Sequence, residues 1–281
     1  MCLICDIIIN NFVNKSLLFC LLKILVRRVI ILSEGVIFLE FGRFIAHRGL
    51  HGDGVPENSM LAFQKAIDAG LPIELDVRLT KDARVVVHHD KWLSRMCGVD
   101  KRINELTYEE LKELSLAGTD QHIPLFRDVL KFVDGRVPLL VEIKRGHELG
   151  VLERRTDHLL KQYKGRYAVQ SFHPLHMLWF KLHSPKTYRG LLVTVADDCE
   201  PFENISSHVG AQTYSWWISS PDFISCDIEL LSDKVVNYVR KRNKDLFAWT
   251  INSEEYYNKA KDVCKTLICE KSPDGFDFTK L

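Results

Sequence analysis

From Arg43 to the end of the chain, short apolar runs alternate with amphipathic helical stretches, and residues able to do chemistry stand where the apolar runs stop. The runs are Arg43–His47, Pro72–Leu79, Val85–His89, Val137–Ile143, Arg166–Ser171, Tyr188–Val195, Asp222–Ser225, Leu246–Thr250 and Thr266–Cys269. Helical patterns fall at Ser59–Gly70, Thr107–Leu116, Leu125–Asp134, Leu149–Tyr163, Pro174–Leu182, Glu200–Val209, Ser232–Arg242 and Ser253–Cys264. Such alternation over about 240 residues implies parallel strands joined by right-handed crossovers. His47 and Arg48, Glu74 and Asp76, His89, then Glu142 and Lys144 all lie at strand ends. A closed ring gathers residues from so many strand ends into one pocket, whereas an open sheet spreads them along an edge, so the pattern predicts an α/β, TIM-type (β/α)8 barrel. No Gly/Ser-rich or Pro-rich linker interrupts it, and residues 43–281 read as one domain.

One connection is too short for a crossover helix. Between Asp76 and His89 the polar turn Lys81-Asp82-Ala83-Arg84 predicts a hairpin. A two-residue loop at Asp82-Ala83 pairs Thr80 with Val85 and sets Asp76 opposite His89, with Glu74 on the same face.

Residues 1–42 form a hydrophobic extension of a different character. Lys15, Lys23, Arg27 and Arg28 interrupt its apolar residues. The uncharged pieces Ile7–Asn14, Ser16–Leu22 and Val29–Ser33 fall far short of the ~20 residues of a spanning helix. Asp6 precedes any positive charge, which is not a signal-peptide pattern. Three readings stay open: an amphipathic helix making peripheral membrane contact through residues 1–40, a docked extra helix, or sequence upstream of the true start. The eight cysteines are widely and irregularly spaced, and Cys2-x-x-Cys5 has no partner pair for zinc. A reduced, cytoplasmic protein is the expectation. The net charge of +1 argues against a nucleic-acid partner.

Three carboxylates, Glu74, Asp76 and Glu142, repel one another in a barrel mouth unless a cation sits among them, and an all-oxygen set suits Mg²⁺, Ca²⁺ or Mn²⁺ rather than zinc. His47 and His89 flanking such a cation read as a general acid/base pair. His88 is expected to point away, in a structural role, and His51 is a candidate lid or phosphate contact. Arg48 and Lys144 add positive charge suited to an anion whose charge grows during reaction, which indicates phosphodiester cleavage.

The ordered motifs Ile45-Ala46-His47-Arg48-Gly49, Pro56-Glu57-Asn58-Ser59, Glu74-Leu75-Asp76-Val77, Leu79-Thr80-Lys81-Asp82, Val87-His88-His89-Asp90 and Glu142-Ile143-Lys144 closely resemble those of glycerophosphodiester phosphodiesterases. Leu93-x-Arg95, Ile123-Pro124, Ser171-Phe172 and Trp249-Thr250-Ile251-Asn252 agree as well. The resemblance is to compact bacterial members with a phospholipase C-like barrel and spans about residues 44–273. It implies His47 and His89 as acid and base, and Glu74, Asp76 and Glu142 as ligands of one divalent cation, Ca²⁺ or Mg²⁺. It implies Arg48 and Lys144 as phosphate contacts, Trp249 as a pocket wall, and an insertion at about 91–124 over the mouth. The implied reaction is hydrolysis of a small-molecule glycerophosphodiester to sn-glycerol 3-phosphate and an alcohol, with the glycerol 2-hydroxyl attacking first to give a cyclic phosphate. Alternatives are a lysophospholipase D-like diesterase at a membrane surface and a non-catalytic phosphodiester-binding barrel. The second expects loss of a site residue, and none is lost. Two departures stand out: Glu270 replaces the family's usual Asp, so no role is carried onto it, and Met96-Cys97-Gly98 replaces Thr-Gly. Oligomeric state and preferred alcohol are not legible.

Overall fold

A computed structural model describes residues 41–194 and 216–281. The expectations for residues 1–40 and for the helix at 200–209 lie outside the described residues. Eight parallel strands close into a barrel: β1 (Phe44–Ala46), β2 (Ile73–Leu79), β4 (Leu139–Ile143), β5 (Tyr167–Ser171), β6 (Tyr188–Val193), β7 (Phe223–Asp227), β8 (Asp245–Ile251) and β9 (Thr266–Cys269). The ring runs β1-β9-β8-β7-β6-β5-β4-β2 and is shut by pairing of Ala46 with Ile73. β3 (Val85–Val87) lies antiparallel on β2, outside the ring.

Period-two alternation sorts each strand's side chains between two environments. Ile73, Leu75, Val77 and Leu79 of β2, with Val141 and Ile143 of β4, join the large core under the helices. Ile45, Leu140, Ala168, Tyr188, Phe223, Phe247 and Ile268 fill the barrel interior as a second apolar cluster. Close packing there decides one residue: a Cβ on Gly190 would lie 2.1 Å from the Phe223 ring. Above this floor the inward series continues with polar residues at the carboxyl ends of the strands. The register aligns Glu74 with Leu140, Asp76 with Glu142 and Glu142 with Gln170.

The helices begin where local chemistry dictates. α1 (Met60–Asp68) is capped by Ser59, whose hydroxyl accepts from Ala62 N at 3.1 Å. Pro174 opens α6 (Pro174–His183), and α5 (Val151–Leu160) starts after Gly150 in the left-handed region. Around them come α2 (Ser94–Cys97), α3 (Tyr108–Leu111), α4 (Phe126–Val133), α7 (Asp233–Arg240) and α8 (Glu254–Ala260). Between β3 and α4 the chain builds a satellite core of its own, including Leu93, Ile103, Leu111 and Ile123.

Two local expectations are corrected. The helix expected over Thr107–Leu116 has its Thr107/Glu110 capping box but stops at Leu111, because Ser115 bridges to His122 and Leu116 N donates to Gln121 O. The hairpin register is one residue out: Leu79 pairs with Val85 and Val77 with Val87. Ala83 adopts a left-handed φ of 57°, giving a three-residue loop in which Arg84 N donates to Thr80 Oγ1. His88 N therefore donates to Asp76 O, and His89 lies past the end of the ladder. No helix among the described residues is long and apolar enough to cross a membrane.

Candidate active site

β2 and β4 bring three carboxylates together at the carboxyl end of the barrel. Ligand oxygens of Glu74, Asp76 and Glu142 lie within 4.8 Å of one another, and all three residues are buried. Lys144, just beyond β4, places Nζ 3.0 Å from Asp76 Oδ1 and 2.6 Å from Glu142 Oε1. Arg48 N donates to Glu74 Oε2 at 3.1 Å, and Arg48 Nε lies 3.6 Å from Asp76 Oδ2. Asn58 Nδ2 donates to the same Asp76 oxygen at 2.8 Å.

Burial in low dielectric and mutual repulsion act on these acids unequally. Burial, then Asp76 and Glu142, holds the Glu74 carboxyl well above its ordinary range. Burial raises Glu142 to about 7 against the pull of Lys144. Burial also works against Asp76, but Lys144, His89, Arg48 and the Asn58 hydrogen bond outweigh it and keep Asp76 well below the ordinary carboxylate value. A divalent cation fits this pocket on two grounds. The donors are all hard oxygens, and the buried Gln170 Oε1 has no hydrogen-bond partner among the described residues. The Lys144 ammonium already shows that the carboxylates accept a cation between them.

The two histidines follow β1 and β3, which pair with the same edge of β2. His47, past β1, pairs through Nδ1 with Glu270 Oε1, while its Nε2 lies 3.8 Å from Glu74 Oε2. His89 pairs through Nδ1 with Asp90 Oδ1 at 2.7 Å. Asp90 accepts from Arg95 Nε at 2.6 Å, Arg95 donates to both oxygens of Glu57, and Glu57 accepts from Arg48 at 2.9 Å. A chain of charges thus links His89 to Arg48 through the satellite segment. Burial and Arg48 lower the His47 pKa despite Glu270, and burial and Lys144 lower that of His89 to about 4.

His47, Arg48, Glu74, His89, Glu142, Lys144 and Trp249 line one cavity of about 590 Å³. Asp76 lies beneath it, fully buried. Trp249 is fixed by donation from Nε1 to Ser225 O at 3.0 Å and by an edge contact to Phe172. His88 is buried away from the cavity lining, and His51 lies 3.6 Å from Glu270 Oε1.

The reading of residues alone left out Glu270, Asp90, Arg95, Gln170 and the side-chain role of Asn58. Glu270 stands one residue past β9, where strand-end position already singled out the other members. A sequence model described as the glycerophosphoryl diester phosphodiesterase family matches residues 47–273. The chain belongs to that family. Its members are phosphoric diester hydrolases, and the enzyme resembles several of them over most of its length. A glycerophosphodiester phosphodiesterase of Caldanaerobacter subterraneus subsp. tengcongensis is 30% identical over 223 residues, covering 75% of this chain and 86% of the relative. Lysophospholipase D GDPD1 of Rattus norvegicus is 27% identical over 269 residues, covering 82% and 83%. Among solved structures, the glycerophosphodiester phosphodiesterase of Thermotoga maritima superposes with a TM-score of 0.63 at 28% identity, covering 82% of this chain and 95% of that one. An Oleispira antarctica phosphodiesterase in complex with sn-glycerol-3-phosphate has a TM-score of 0.69 at 22% identity, covering 82% and 93%, and shows the shared barrel.

Proposed function

We propose that this enzyme hydrolyses glycerophosphodiesters to sn-glycerol 3-phosphate and an alcohol, with one divalent cation, Ca²⁺ or Mg²⁺, held by Glu74, Asp76 and Glu142. The observation carrying this reading is the buried acid cluster bordered by two carboxylate-supported histidines in a single cavity. A bound cation supplies Lewis-acid polarisation of a phosphoryl oxygen and offsets its growing charge. Arg48 orients the phosphate, supported from behind by Glu57, and Lys144 adds a point charge beside it. Each histidine gives Nδ1 to a carboxylate, Glu270 for His47 and Asp90 for His89, which leaves Nε2 to handle protons. One neutral Nε2 takes the proton of the attacking glycerol hydroxyl while the other imidazole, protonated, gives its Nε2 proton to the leaving alcohol oxygen; water then opens the resulting cyclic phosphate with the two roles exchanged.

The likeness to lysophospholipase D GDPD1 supports a second reading, in which the glycerol carries an acyl chain. A panel of glycerophosphodiesters and lysophospholipids, assayed with each divalent ion for release of glycerol phosphate or its acyl ester, separates the two. Release from no diester under any ion sinks the proposal.

A further inference from the structure

The cavity is electrically lopsided. In the ring β7 stands four places from β2 in either direction, so the two strands face each other across the barrel. Arg48, Arg78, Lys91, Lys144 and Arg145 line the cavity from β2 and the segments after β1, β3 and β4. From β7 and β8 it is lined instead by Asp227, Trp249 and Thr250. Asp227 and Trp249 are direct neighbours in the β7–β8 register.

Asp227 is held rather than neutralised. Its Oδ2 accepts from Thr194 Oγ1 at 2.7 Å and its Oδ1 from Glu229 N at 3.0 Å. Each carboxylate oxygen keeps a further acceptor site. Among the described residues no Lys or Arg pairs with it, and residues 195–215, which join β6 to β7, contain neither. The other acids lining the cavity are committed: Glu74 and Glu142 to the acid cluster, Asp90 to His89 and Arg95. Beside Asp227 the Trp249 ring stands edge-to-face with Phe172, centroids 5.6 Å apart and planes at 83°. Phe172 in turn packs against the Lys144 ammonium, Nζ 6.0 Å from its ring centroid, which leaves the Trp249 ring and the Asp227 carboxylate as the receptor for a soft cation.

We propose that Asp227 and Trp249 form a subsite for the ammonium of the leaving alcohol, so that diesters of choline- and ethanolamine-type amino alcohols are preferred over uncharged ones. This rests on the reading above that the phosphate lies against Arg48 and Lys144. The substrate then matches the cavity end for end, its anion toward β2 and its cation toward β7 and β8.

The test compares glycerophosphocholine with the glycerophosphodiester of 3,3-dimethylbutanol, an uncharged isostere of choline. For the wild type, kcat/KM is expected to be about tenfold higher for the choline diester, the size of one desolvated cation–π contact with a partly screened ion pair. In Asp227→Asn, which keeps acceptor and shape, that ratio falls severalfold, and in Asp227→Glu it is largely retained. Equal wild-type rates on the two diesters overturn the proposal whether or not the variants fold. So does an Asp227→Asn ratio equal to the wild-type ratio, or a uniform loss on both diesters, which would assign Asp227 to the shared glycerol end. Release from neither diester by the wild type fails the hydrolase reading itself, and this proposal with it.

Discussion

Asn58 offers a sharp test of how the acid cluster is held. It is buried with a left-handed φ of 54°; Nδ2 donates to Asp76 Oδ2 at 2.8 Å, and Oδ1 accepts from Asp76 N at 3.4 Å. Asn58→Ala removes a hydrogen bond to a buried charged oxygen, a loss of about 1.5–3 kcal/mol. It also puts an ordinary side chain in the left-handed region, adding about 1 kcal/mol. Asn58→Gly removes the same hydrogen bonds but relieves the backbone, offset in part by the greater freedom of the unfolded chain. The expected destabilisation is therefore about 3 kcal/mol for Ala and about 2 kcal/mol for Gly. Urea unfolding of the full chain in a chelating buffer measures both, and the half-saturating concentration of Ca²⁺ or Mg²⁺ should rise in each variant because Asp76 loses its orienting donor. An Ala variant within about 0.5 kcal/mol of wild type, or a Gly variant less stable than Ala, would refute the reasoning.

Other outcomes follow from the same geometry. His47→Ala and His89→Ala should each lower kcat on glycerophosphocholine by about 10²–10⁴ with unfolding midpoints near wild type; near-normal turnover in either removes it from the proton transfers. Chelation should abolish activity, with recovery on adding Ca²⁺ or Mg²⁺, and an enzyme indifferent to chelator would lose its proposed metal. Arg95→Met should lower kcat about tenfold with little change in stability, because the half-exposed guanidinium positions Asp90 and Glu57 rather than filling a core; unchanged kcat contradicts that. His176 is buried, and burial with the neighbouring His173 lowers its pKa to about 3, below the ~6.5 of an unfolded chain. The folded state therefore resists a proton that the unfolded state binds, so stability is complete above about pH 6.5 and declines as pH falls toward 3. The urea midpoint should drop between pH 7 and pH 5, and less steeply in His176→Gln; equal slopes would discount this residue.

Much of the barrel was legible because its two apolar environments impose a simple code. In Ile73-Glu74-Leu75-Asp76-Val77-Arg78-Leu79 the alternation separates the helix-facing side from the interior, and the acids mark how far up the barrel the polar layer begins. The hairpin register was not legible for an equally physical reason. A three-residue loop needs a left-handed residue, usually announced by Gly or Asn, and here that residue is Ala83. The expected pairing of His89 with Asp76 was thus wrong in register, yet the electrostatic coupling of the two remains, because His89 follows directly on the His88–Asp76 backbone bond and lines the cavity.

The site shows the same division. Residues whose side chains face the cavity betray themselves by type and by strand-end position, since a carboxylate or imidazole after an apolar run has few other uses. Residues that act on those residues carry no such mark. Arg95 sits on a four-residue helix, five residues after Asp90 and 38 after Glu57, and the folded satellite segment brings it to both at once. Glu270 is separated from His47 by 223 positions, and only closure of the ring through β1 and β9 makes them neighbours. From that position Glu270 reaches the His47 Nδ1 and brings a carboxylate charge to it. That charge is what a proton-handling imidazole needs from its partner, so a position to which the linear pattern assigned no role supports the proposed proton transfers.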